Sequence, residues 1–113
     1  MTVNQKIIAA ISPIVDIEPV VYTGTKTTYA IFEFLPDEVI VSGDDDASLD
    51  LLSPRIHLFC PVSSDPETLR KSIRIALKKA GFTYPTITQT YESDTKLHHI
   101  IFDCEMLRAS ERE

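Results

Sequence analysis

The sequence predicts an α+β fold, a two-layer sandwich in which a mainly antiparallel sheet of four to five strands carries two helices on one face. Three observations point there. Apolar residues recur at helical spacing in two separate stretches, at the N-terminus and between Ser64 and Ala80. β-branched and aromatic residues dominate the runs between and after those stretches. The connections are short or hairpin-like, which suits antiparallel neighbours. With 113 residues there is material for one core and one domain, 1–113, rather than for separate catalytic and cofactor units.

Taken in order, Val3, Ile7, Ile8 and Ile11 form one helical stripe with Val15 just beyond it. Thr2 and Gln5 are spaced as a reciprocal N-terminal cap, and Pro13 ends the regular helix near Ser12. Pro19 to Tyr22 reads as a brief strand, Gly24 to Lys26 as a turn, and Thr27 to Leu35 as a longer strand. Alternation puts Ala30, Phe32 and Phe34 on one face of it and Tyr29, Ile31 and Glu33 on the other. Pro36 stops the strand, Val39 to Val41 extends it as an arm, and Ser42-Gly43-Asp44-Asp45-Asp46 then breaks the pattern, so a long acidic hairpin connection is expected. Arg55 to Cys60 is the returning strand, with Ile56, Leu58 and Cys60 on one face and Arg55, His57 and Phe59 on the other.

The second helix carries the clearest boundary signals: Ser64 or Asp65 as N-cap, Pro66 and Glu67 in the first turn, Lys78 and Lys79 in the last, and Gly81 just past the end. Leu69, Ile73, Ala76, Leu77 and Ala80 make its apolar stripe, about 100° wide, the width of a helix lying on a sheet. Ile87 to Glu92 and Leu97 to Met106 pair as a hairpin around Ser93-Asp94-Thr95, and residues 108–113 read as a frayed polar tail.

Composition removes several functional classes. A formal net charge of −6 with the run Asp44, Asp45, Asp46 makes the domain repel nucleic acid and anionic membrane surfaces. The N-terminal apolar stretch is too short for a secretory signal and no run approaches membrane-spanning length, so synthesis and folding in the cytoplasm are expected. Two cysteines, Cys60 and Cys104, do not make a disulfide framework, and reduced thiols are expected.

No chemistry-bearing constellation survives inspection. A zinc site of two Cys and two His fails on strand parity: His57 and Cys60 are an odd number of residues apart and point to opposite faces, as do His99 and Cys104. Cys60, Cys104 and His98 can share a face, but that face also carries Ile56, Leu58, Ile100 and Phe102, which predicts buried thiols packed as small hydrophobes. Asp44, Asp45, Asp46 and Asp50 lack the alternate-ligand spacing and terminal Glu of a calcium loop. Three glycines leave little material for a phosphate-binding loop, and no nucleophile with its base is apparent, so neither catalysis, cofactor nor metal is expected.

What remains is surface. Arg70, Lys71, Arg74, Lys78 and Lys79 lie opposite the apolar stripe of the second helix, with Ile75 placed among them. On the second face of the sheet Tyr29, Ile31, Phe59 and Ile101 make a patch too apolar for water alone, and another subunit is the simplest cover.

The segments TTYAIFEF, GDDD, LRKSIRIALKKAGF and TYESDTKLHHIIFDCE, in this order, resemble the tail-completion or tail-terminator family of long-tailed phages and prophages. Tyr91, Glu92, Asp94, Thr95, Leu97 and His99 match the turn between that family's last two strands; the LPDEVIVS segment before the acidic run departs from the pattern. The resemblance implies a non-enzymatic virion protein made in the host cytoplasm. It would assemble as a ring, a hexamer in the family, on the head-proximal end of the tail tube, contacting tube protein and head connector while DNA passes through. Tyr29, Ile31, Phe59, Ile75 and Ile101 are then candidate subunit contacts, and Asp44, Asp45, Asp46 and Asp50 a candidate channel or partner loop, whose like charge would keep DNA from sticking. The rival class is a small non-enzymatic regulatory or ligand-binding α+β domain that oligomerises through its apolar sheet face.

Overall fold

The computed structural model describes residues 2–41 and 48–109. The chain runs α1 (Val3–Ile11), β1 (Ile17–Pro19), β2 (Tyr29–Val41), β3 (Ser48–Pro61), α2 (Glu67–Lys79), β4 (Thr86–Glu92), β5 (Leu97–Asp103) and β6 (Met106–Ala109). The strands form one six-stranded sheet of order β1-β2-β3-β5-β4, with β6 paired to the first part of β3 and β5 to its last part. Only β1 with β2 is parallel. The architecture is thus the expected α+β sandwich, with one strand more than the count read from the sequence.

Alternation decides which side chains the helices cover. Ala30 and Phe32 of β2, Ile56 and Leu58 of β3, and Ile100 and Phe102 of β5 are buried, and so are Val3, Ile7 and Ile11 of α1 and Ile73 and Leu77 of α2. Each large side chain so buried contributes about 1.5–3 kcal/mol by removal from water. The capping box of α1 is formed: Gln5 N–H donates to Thr2 Oγ1 at 3.1 Å and Thr2 N–H to Gln5 Oε1 at 2.8 Å. At the other end of α2, Gly81 takes φ +103°, Phe82 N–H donates to Leu77 O and Gly81 N–H to Lys78 O, and this turn tucks Phe82 into the core behind Leu77.

Several expectations shift. α2 begins at Glu67 with Pro66 as its cap residue; Asp65 still helps, since its Oδ1 accepts from Glu67 N–H at 3.0 Å, but Ser64 lies outside. β1 sits two residues earlier than expected, at Ile17–Pro19, because it pairs in parallel with Ala30–Phe32. The run read as one strand from Leu97 to Met106 is split at Cys104-Glu105 while keeping one register against β3. Cys104 N–H donates to Pro54 O, but Pro54 has no N–H to return, and the Glu105 backbone pairs instead with Thr83. Arg108 and Ala109, read as frayed tail, belong to β6, where Arg108 pairs with Asp50.

The largest difference is the hairpin. Pro36 does not stop β2. It sits in a bulge where Pro36 and Asp37 together oppose Leu52, between the pairs Leu35↔Ser53 and Glu38↔Leu51, and the ladder then continues to Val41↔Ser48. Asp50, expected in a loop, is a strand residue opposite Val39. β2 and β3 therefore run on as an arm, with β6 alongside. The molecule measures 55 × 24 × 23 Å, and its radius of gyration of 15.6 Å exceeds the ~13 Å of a compact chain of this length.

Beyond the bulge the alternation of β2 is inverted. Phe34 faces the helices, but past Asp37 it is Val39 that shares the side of Leu52, while Glu38 and Ile40 lie with Leu49 and Leu51 on the open side.

Candidate assembly surfaces

Three surfaces stand out. On the open face of the sheet, Tyr29, Ile31, Phe59 and Ile101 come together as expected: Ile31, His57 and Ile101 form one cross-strand row, and Tyr29, Phe59 and His99 the next. All four are half-buried because they cover one another. Tyr22 stacks on Tyr29 at 4.2 Å between centroids, Tyr29 on Phe59 at 5.2 Å, and Phe59 on His99 at 4.4 Å. Tyr22 is fixed from behind, donating from its hydroxyl to Asp16 and accepting from Lys26 N–H.

Across this face runs a chain of polar contacts that strand parity alone did not reveal. His57 Nε2 lies 3.0 Å from Glu33 Oε2, His57 Nδ1 lies 2.8 Å from His99 Nε2, and His99 Nδ1 lies 3.5 Å from Glu92 Oε2. Carboxylates only accept, so the short Glu33 contact calls for N–H at His57 Nε2, while the direction of the hydrogen bond between the two rings depends on their tautomers. Burial, with His57 adding to it, holds His99 below the usual imidazole range in spite of Glu92. The registers of β2 with β3, β3 with β5 and β4 with β5 together assemble the chain, and the alternation of Glu33 with Tyr29 and of His57 with Phe59 was its only signal in the sequence.

The sign of the pH effect follows. The unfolded chain takes up the His99 proton before the folded one does, so this contribution to stability is complete above about pH 6.5 and is lost as pH falls from there toward the lower folded value. Urea midpoints measured from about pH 8 down to about pH 5 should fall, and should fall less in His99→Gln. An equal slope in both proteins would remove the imidazole pair as the cause.

The second surface is the arm. Leu35, Ile40, Leu49 and Leu107 are exposed on its open side and Val39 on the other, beside the exposed acids Asp37 and Glu38. The third is the solvent face of α2. Ile75, 42% exposed, stands amid the cations; Arg70 donates to Gln89 Oε1 at 3.0 Å, and Arg74 and Lys78 sit 5.7 and 5.2 Å from the ring centre of Tyr84. Ile75 is therefore on the opposite layer from Tyr29, Ile31, Phe59 and Ile101, and the five do not form one patch. Asp44, Asp45 and Asp46 lie outside the described residues.

The thiols are shielded from solvent. Cys60 and Cys104 are buried, and burial pushes both up, Cys104 to about 12 with Asp103 and Glu105 adding to the effect. Among the described residues no group of three or more His, Cys, Asp or Glu is placed to hold a metal ion, and no helix is long and apolar enough to cross a membrane.

No protein-family model matches the chain, and no curated protein does. Among solved structures, a chain of the virion of a native gene transfer agent (GTA) particle has a similar fold, with a TM-score of 0.57 and 10% identity over 95% of this chain and 91% of that one. At that identity the likeness is one of fold.

Proposed function

We propose that this chain is a non-enzymatic structural subunit of a phage-like virion, and more specifically that it caps the head-proximal end of a tail tube as a ring, a hexamer in the family it resembles, and helps join tube to head connector. The observation that carries the reading is the likeness of fold to a virion chain along nearly the whole length of both chains, down to a shared size. The surfaces support it. An arm that exposes four large apolar side chains on one side is made to be covered. The aromatic and histidine face is flat and self-satisfied, suited to contact rather than to turnover.

Deleting the gene from an inducible phage or prophage is expected to leave filled heads and tails unjoined, with tails of abnormal length, when lysates are imaged. Normal infectious particles from that deletion would end this reading and leave the regulatory or ligand-binding alternative.

A further inference from the structure

We propose that the arm of one copy docks on the solvent face of α2 of the next copy, so that copies associate through two unlike surfaces. The inference rests on the ring reading and names the contact through which such a ring would close.

Charge is segregated in this molecule. Half of the lysines and arginines among the described residues sit on α2, as Arg70, Lys71, Arg74, Lys78 and Lys79, against the single acid Glu67. The open side of the arm has the opposite sign, with Glu38 exposed beside apolar Ile40 and Leu49, while Asp37 and Val39 lie on the other side with Leu52 and Arg108. Each surface also offers what the other's apolar part needs: Ile40 and Leu49 are 43% and 38% exposed, while Ile75 and Tyr84 are 42% and 61% exposed.

The alternatives are disfavoured by the same charges. An arm-to-arm contact through the open side would set Glu38 against its own copy, and a helix-to-helix contact would do the same with five cations; like charges so placed disfavour both, whereas the mixed contact pairs opposite signs. The arm continues the β2–β3 ladder beyond the pairs that α1 and α2 cover, in a molecule 55 Å long. A contact between unlike surfaces propagates, and closes into a ring where the rotation allows.

Full-length Ile40→Cys and Ile75→Cys proteins, mixed at about 1 mM where weak contacts are populated, test this directly by oxidative cross-linking, since native Cys60 and Cys104 are buried and silent. The mixture is expected to give about tenfold more cross-linked dimer than either variant alone. Adding Glu38→Lys to the arm copy should suppress it about tenfold, and Arg74→Glu with Lys78→Glu on the helix copy should restore it. Equal yields from either variant alone, a yield no higher than with the open-face variant Thr88→Cys, or failure of the reversed charges to restore would each overturn the proposal. Because cross-linking reads the purified protein, it stands apart from the deletion phenotype: particles that contain the protein without this contact would refute the contact alone, and the contact in a protein that no particle needs would refute the virion reading alone.

Discussion

Phe102→Ala is expected to remove about 3–5 kcal/mol of folding stability, a large share of the about 5–15 kcal/mol of an ordinary domain and, at the low end of that range, enough to unfold part of the population at ambient temperature. Phe102 is fully buried in β5, flanked by Ile56 of β3 and Ile87 of β4, beneath the helices. Truncation removes a whole ring that no neighbour can replace: the flanking positions are fixed by ladder hydrogen bonds, and Ile73 and Leu77 are held by the backbone of α2. The loss is transfer free energy plus an unfilled cavity. Urea unfolding followed by circular dichroism measures it, and a loss under about 1 kcal/mol would mean that the two layers close over the gap and are packed far more loosely than described.

Ile75→Asp has the opposite signature. The side chain is exposed on α2 and its loss should change stability by no more than about 0.5 kcal/mol, yet the variant should fail to cap tails, because a carboxylate replaces the apolar contact at the centre of the docking face. Ile101→Asp should also fold and fail, with some stability lost because Ile101 is half-buried between His57 and Thr88. The control is Asp44→Asn with Asp45→Asn and Asp46→Asn, expected to cap tails normally while slowing DNA passage, since neutral side chains no longer repel the phosphates. Complementation of the deletion with each variant, scored by tail length and infectious titre, separates them. If Ile75→Asp and Ile101→Asp cap normally and the neutralised loop alone abolishes capping, contact surface and channel surface have been exchanged.

The parts of this fold legible in the sequence are those set by local rules. Thr2 with Gln5, the stripe of Ile73 and Leu77, the glycine at Gly81 and the alternation of Phe32, Ile56, Leu58 and Phe102 each follow from spacing within one element. What escaped depends on partners distant in sequence. Pro36 looks like a terminator until Leu52 is seen to accept two residues opposite it, and Pro54 gives no hint that it will interrupt a strand fifty residues later. Glu33, His57, His99 and Glu92 come from four strands, so that only the registers reveal them as one chain. Ile75 was legible as an interruption of a basic face, and Val39 to Val41 as an arm, whereas Leu49 and Leu107 gain their meaning from strands that pair along that arm.

The bulge at Pro36-Asp37 behaves like a frameshift in a reading frame. Upstream of it even-numbered residues of β2 belong to the helix layer; downstream odd-numbered ones do. One hairpin thereby carries two independent messages, the proximal half spelling core and the distal half spelling exposed apolar surface, and a substitution in either half can be accepted without rewriting the other. Length is a different matter. Loss of a single residue at the bulge would turn Glu38 and Ile40 toward the helix layer and Val39 toward the open side, scrambling the exposed face of the arm while altering the amino-acid composition by one. Among related chains the number of residues between Phe34 and Val39 should accordingly be held more tightly than their identities.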